Sequence, residues 1–206
     1  PQAKALADRA VGELARMHAR LGHAQDLEKL FAEIGNRSMS GPATEMLTGA
    51  REGLWMFRNE PGISYLCGPM ALKNVLIALK ADPAKVALMD QQRSGPRGFN
   101  LEQVAQLAEK AGLSYRLVYR SPGQPIPVPS IVNWKLHHYA AIVGEQDGRY
   151  HLKDPTFASG DAWVTTAAID AESSGYFLVP TQEQPEAPWR TASLEEAREV
   201  YGMGFT

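Results

Sequence analysis

The chain has 206 residues and a formal charge of −2, from 21 Lys and Arg against 23 Asp and Glu. A balance this even gives no bulk attraction to nucleic acid or to an anionic membrane. A hydrophobic fraction of 44% and a charged fraction of 21% are ordinary globular values, and exclude a disordered, collagen-like or coiled-coil chain. One cysteine, Cys67, excludes an intrachain disulfide framework and a Cys-rich zinc site. The most apolar stretch, Met70 to Leu79, is cut by Lys73 and Asn74 and falls short of the about 18 residues that a membrane helix needs. There is no signal-peptide pattern, and the start at Pro1 without a Met reads as a piece of something longer.

Leu6, Ala10, Leu14 and Met17 recur at helical spacing and predict an amphipathic first helix with that stripe facing inward. Gly22 and His23 interrupt it. Leu27, Leu30, Phe31 and Ile34 predict a second helix, ended by Gly35 and Asn36. A third is expected from Ala43 to Phe57, with Met46, Leu47, Ala50 and Leu54 on one side. Asn59-Glu60-Pro61-Gly62 breaks the pattern. A hairpin alone cannot bury such stripes, so these helices are expected to pack on the remainder of the chain.

Further helices are predicted from Pro69 to Leu79 and from Leu101 to Ala111, the latter capped by Asn100 and ended by Gly112. The pattern then turns to strands: Tyr115 to Tyr119, Ser130 to Trp134, His138 to Val143, Tyr150 to Lys153 and Tyr176 to Val179. Gln146-Asp147-Gly148 folds two of them into a hairpin. Ser121 to Pro129, with four prolines, is an extended connector. Trp134, Trp163 and Tyr176 are expected in the core. A short helix from Leu194 to Tyr201 precedes Gly202 and Gly204. Helices first and strands after make an α+β fold. The expected division is a helical segment over 1–58, a second domain over 59–182, and a tail over 183–206 leading to a next module.

Cys67 precedes Gly68 and Pro69 at the expected start of a helix, where free N–H groups and the helix dipole favour a thiolate. Gly68 should leave the sulfur accessible. A lone cysteine is otherwise a small buried hydrophobe. A nucleophilic cysteine needs a base and a group to orient it. His138 opens a strand on a face shared with Ala140 and Ile142, and His137 points the other way. Asp154 lies 16 residues on, a spacing that suits two strands joined by a tight turn and brings its carboxylate near His138. His138 could instead be a core histidine bonded to a carbonyl, and Asp154 a turn former before Pro155, which ends its strand. His18 and His23 read as solvated or capping groups, and His151 as exposed. The histidines lack standard metal-ligand spacing, so no metal is expected.

Cys, His, Asp in that chain order is the order of papain-like cysteine hydrolases. The stretches "CGPMAL", "HYAAIV" and "DPTF", with "IPVPSIVNWK" before the histidine strand, resemble the double-glycine-leader peptidases of bacteriocin exporters. With "GFNLEQVAQLAEKAGL", "GRYHLKDPTF", "SGYFLVP" and the tail "VYGMGFT", the chain is also similar to peptidase-like domains of large Rhs/YD-repeat bacterial proteins, set there after a tetratricopeptide-like helical segment. The resemblance implies a papain-like fold and a triad of Cys67 as nucleophile, His138 as base and Asp154 as orienting group. It implies no cofactor and a peptide or polypeptide substrate, including the rest of a longer, secreted or toxin-type parent chain. The leader peptidases carry an oxyanion-hole Gln about six residues before the nucleophile; Pro61 stands here, with Asn59 and Ser64 as replacements to consider. Two rival readings keep the same residues: an acyltransferase, and a peptide-binding module that does not turn over.

Overall fold

The computed structural model describes residues 2–154, 156, 160–181 and 189–205. The expected boundary at 182/183 and the strand-ending role of Pro155 lie outside them. In chain order the elements are α1 (Gln2–Arg20), α2 (Ala24–Ile34), α3 (Pro42–Asn59), α4 (Pro61–Ser64), α5 (Cys67–Ala78), α6 (Pro83–Asp90), β1 (Phe99–Asn100) and α7 (Leu101–Lys110). There follow β2 (Tyr115–Tyr119), β3 (Ser130–Trp134), β4 (His138–Gln146), β5 (Arg149–Lys153), β6 (Asp161–Thr165), α8 (Thr166–Glu172), β7 (Ser173–Pro180), β8 (Arg190–Thr191), α9 (Leu194–Glu199) and β9 (Tyr201–Gly202).

The inward stripe of α1 differs from the expected one. Leu6, Leu14 and Met17 are 71%, 40% and 41% exposed, and Asp8, Gly12 and Ala15 are buried instead. Small residues win this contact because they let α3 approach closely. A Cβ on Gly12 would stand 3.0 Å from Ala43 Cα, and one on Gly53 would stand 3.5 Å from the Ala19 methyl. Asp8 is tolerated there because Lys4, Arg37 and Ser40 all donate to its carboxylate. Tyr65, Met203 and Phe205 pack into the same cluster as Leu27, Leu47 and Phe57, and so join the helical layer to the rest of the chain. His23 Nε2 lies 3.2 Å from Leu136 O, a second link between the two layers.

A seven-stranded antiparallel sheet runs in the order β6-β5-β4-β3-β7-β2-β8. One face, with Ile131, Tyr139, Ala141 and Leu178, packs against α5 and α7. The other, with Val132, Ala140, Ile142 and Phe177, is covered by Ile169 of α8, Ile126 and Trp189. The turn between β4 and β5 has Asp147 and Gly148 at φ 52° and 72°, the paired positive φ that suits a two-residue hairpin. β1 and β9 form a separate antiparallel pair, Phe99 opposite Gly202 and Asn100 opposite Tyr201. That pairing is why the last helix stops at Glu199 rather than reaching Tyr201. The sequence pattern does not announce α6, β6 or α8. Trp163, expected in the core, is 47% exposed because it stands on the edge strand β6, stacked on His151.

Lys4, Ser40 and Arg37 hold the Asp8 carboxyl down at about 2 despite its burial. A carboxyl held low stabilises the fold above its unfolded value of about 3.8 and loses that contribution as pH falls towards 2. Asp8→Asn is therefore expected to lower the melting temperature at neutral pH and to flatten its decline between about pH 4 and pH 2. Thermal unfolding followed by circular dichroism at three pH values checks both.

Candidate active site

Helix α5 starts at Cys67 itself, after Leu66, two residues earlier than the sequence suggests. Pro69 remains inside the first turn, where a missing N–H costs nothing. The N–H of Cys67, as the first helical residue, has no acceptor within the helix. Val75 and Leu76 anchor α5 in the core beside Tyr139 and Ala141. Gly68 does not open the sulfur to solvent. A Cβ there would stand 2.9 Å from Val104 and 3.3 Å from Phe99, so its role is close packing. Cys67 is fully buried.

His138 is the first residue of β4, just after the chain turns at His137 with φ 57°. By alternation the following residues divide between the faces, with Ala140 and Ile142 on one and Tyr139 and Ala141 on the Cys67 side. At the strand's end the His138 ring is placed to meet partners from both sides. Its Nε2 lies 2.7 Å from Asp154 Oδ1. A carboxylate only accepts, so the proton of that bond sits on Nε2. The Cys67 thiol lies close enough to the imidazole to raise its pKa. Asp154 is itself held: Thr156 N–H donates to Oδ1 at 2.9 Å, and its own N–H donates to Gly160 O at 2.8 Å. Burial pulls the His138 pKa down, but the hydrogen bond to Asp154, the nearby Cys67 thiol and the charges of both outweigh it, and the value rises to about 10.

Other expected residues lie elsewhere. His137 donates its N–H to Trp134 O, and its own carbonyl accepts from Met203 N–H. His151 pairs with Asp161. Asn59 Nδ2 and Ser64 Oγ donate to the carbonyls of Trp55 and Glu60, one turn back in each case, so neither stands in for the missing Gln. His18 and His23 are half-buried rather than solvated, with their Nδ1 atoms 3.2 Å apart, and His23 stands at the N-cap position of α2 without a side-chain cap bond. With Asp26 they form the one group of three possible metal ligands among the described residues.

Sequence reasoning missed four residues of the site. Tyr139 donates to Val200 O at 2.7 Å and Asn133 Nδ2 to Tyr201 O at 2.9 Å. Gly202 and Gly204 lie against Cys67 and His138. The repeated glycine at 202 and 204 was the available signal, but without the fold it reads as the end of a tail. Beside His138 and Asp154 a cavity of about 620 Å³ opens, lined largely by apolar side chains including Trp134, Leu152, Val164 and Ile169.

Residues 63–185, more than half of the chain, match the Peptidase C39 family. The chain belongs to that family. It is a C39 peptidase domain with a papain-like α+β fold, the helix that begins at Cys67 packed on an antiparallel sheet. No curated protein matches it. Among solved structures, a double glycine motif protease from an AMS/PCAT transporter, in complex with the leader peptide, is 21% identical. That match covers 61% of this chain and 84% of the other, with a TM-score of 0.45. The peptidase domain of Streptococcus ComA, a bi-functional ABC transporter involved in a quorum sensing pathway, is 20% identical over 56% of this chain and 91% of its own, at a TM-score of 0.45. The N-terminal C39-like domain of a toxin secretion ATP-binding protein from Vibrio parahaemolyticus is 14% identical over 59% and 97%, at 0.40.

A histidine whose folded pKa is raised to about 10 from 6.5 stabilises the fold fully below 6.5. That contribution is lost as pH rises through 10. The C39 domain is expected to melt at a lower temperature at about pH 10 than at about pH 6, and His138→Gln to remove part of that difference. Calorimetric melts of the two proteins across this range measure it.

Proposed function

We propose that this C39 domain is a cysteine peptidase that cuts a peptide bond with Cys67, His138 and Asp154. The observation that carries the reading is a single buried imidazole bonded to Asp154 and close enough to the only thiol in the chain for that thiol to raise its pKa. His138 would take the thiol proton as Cys67 Sγ attacks the carbonyl carbon, and the Cys67 N–H at the head of α5 would donate to the developing oxyanion. His138 would return a proton to the leaving amine, then take one from the water that cleaves the thioester. Asp154 would hold the ring and its tautomer. Side chains of the substrate would lie in the apolar cavity beside His138. The substrate is a peptide segment of a longer polypeptide, and the parent chain itself supplies one. The helices of 1–58 act as a wall of the cleft; Leu21 lines the cavity and supports this. The second domain, over 59–182, carries the chemistry, and the segment 183–206 completes it.

Two observations favour a second reading, a peptide-holding module without turnover: Cys67 is sealed from solvent, and Pro61 stands where the resembled peptidases have Gln.

Hydrolysis of a fluorogenic glycine-containing peptide separates the two. Cys67→Ala is expected to abolish the activity, and His138→Ala to lower kcat by about 10²- to 10⁴-fold, the usual weight of a general acid–base. Asp154→Asn should also fall by orders of magnitude, through the wrong tautomer. Peptide binding without hydrolysis, in a protein whose Cys67 is labelled by iodoacetamide in the native state, would establish the module reading.

A further inference from the structure

Residues 200–205 run directly over the site. Val200 O accepts from Leu101 N–H at 2.8 Å and from Tyr139 Oη at 2.7 Å. Tyr201 and Gly202 pair with Asn100 and Phe99 as a strand. Asn133 Nδ2 donates to Tyr201 O, and Met203 N–H donates to His137 O at 2.8 Å. Phe205 N–H donates to Arg20 O at 2.9 Å, and its ring meets the edge of Phe57 with centroids 5.5 Å apart. The segment is thus an extended peptide held by its backbone on both sides, from α1 to β1.

Its glycines are where that peptide meets the reactive groups. A Cβ on Gly202 would stand 3.0 Å from Cys67 Sγ and 2.2 Å from the Tyr139 ring. One on Gly204 would stand 2.1 Å from His138 Nδ1. Only a residue without a side chain fits either place. With this cover, Cys67 and His138 are 0% and 1% exposed.

Val200 and Tyr201 carbonyls are taken by Tyr139, Leu101 and Asn133. The Gly202 and Met203 oxygens lie close against Gly98 and Gly22, 2.0 and 1.9 Å from where a Cβ on each would be. None of these partners belongs to α5, whose first N–H groups would have to receive an oxyanion. The segment has the place and extended form of a substrate but not the carbonyl orientation of one about to be cut.

We infer that Val200–Phe205 is a substrate-mimicking strap, bound in cis in the cleft of its own domain, and that it must leave before another peptide can reach Cys67. The inference rests on the peptidase reading for what is blocked, but not for the blocking itself. It also gives the cleft a specificity: an extended segment with glycine opposite the sulfur and a second glycine two residues later.

The test is alkylation of Cys67 by iodoacetamide in the folded 206-residue chain, followed by mass spectrometry. Cys67 should label slowly in the wild type, and about 10²-fold faster in Gly202→Val, whose side chain cannot sit beside Sγ and Tyr139. Phe205→Ala, which loosens the anchor away from the thiol, should give a smaller increase and serves if Gly202→Val does not fold. A synthetic peptide of residues 198–206 should slow labelling of either variant again. Fast labelling of the folded wild type, no acceleration in a folded variant, or no protection by the peptide would each overturn the strap. If the variants label quickly but hydrolyse no peptide, the strap stands and the peptidase reading fails. If the wild type labels quickly and cleaves, the strap fails and the peptidase reading stands.

Discussion

A buried histidine that carries a proton needs an acidic partner, and the architecture of this domain depends on bringing one to His138. Burial alone would drive His138 to its neutral form, yet its pKa rises because Asp154 bonds the ring and Cys67 lies near it. The three groups come from three separate elements: the head of α5, the start of β4 and the end of β5. Helix α5 must therefore lie flat on the sheet, and the β4–β5 hairpin must keep its register. The core beneath α5 and the two-residue turn at Asp147 and Gly148 provide these conditions.

The same pressure for close approach recurs around the site. Gly68 lets α5 meet α7 and β4, Gly12 and Gly53 let α1 meet α3, and Gly202 and Gly204 let the C-terminal segment lie on the sulfur and the imidazole. In each case a missing side chain places backbone where packing or polar contact would otherwise be blocked. The helical layer is held to the rest through aromatic contacts among Phe57, Tyr65 and Phe205, so the strap and the N-terminal helices share one anchor.

Much of this is legible in the chain. Capping by Asn100 and Gly112, alternation in β3 and β4 and the turn residues before Arg149 are local signals, and they mark α7 and the central strands closely. The interval between His138 and Asp154 is legible for the same reason, since a tight hairpin converts sequence distance into spatial pairing. The α1 stripe misleads because apolarity is a poor guide where two helices touch through Gly and Ala, and the larger Leu6, Leu14 and Met17 face out. Edge position, which exposes Trp163, depends on strand order and not on the residue.

What the sequence by itself determined is most of the larger elements and the place of a lone cysteine at a helix start, because periodicity, caps and turns are written within a few residues of one another. What only the tertiary structure decided is how those groups are enclosed. That Gly202 meets Cys67, that Gly204 meets His138, and that Asn133 and Tyr139 hold the strap are contacts between segments far apart in the chain. No local pattern encodes them, because they arise only when helix, sheet and C-terminal segment close around the same small volume.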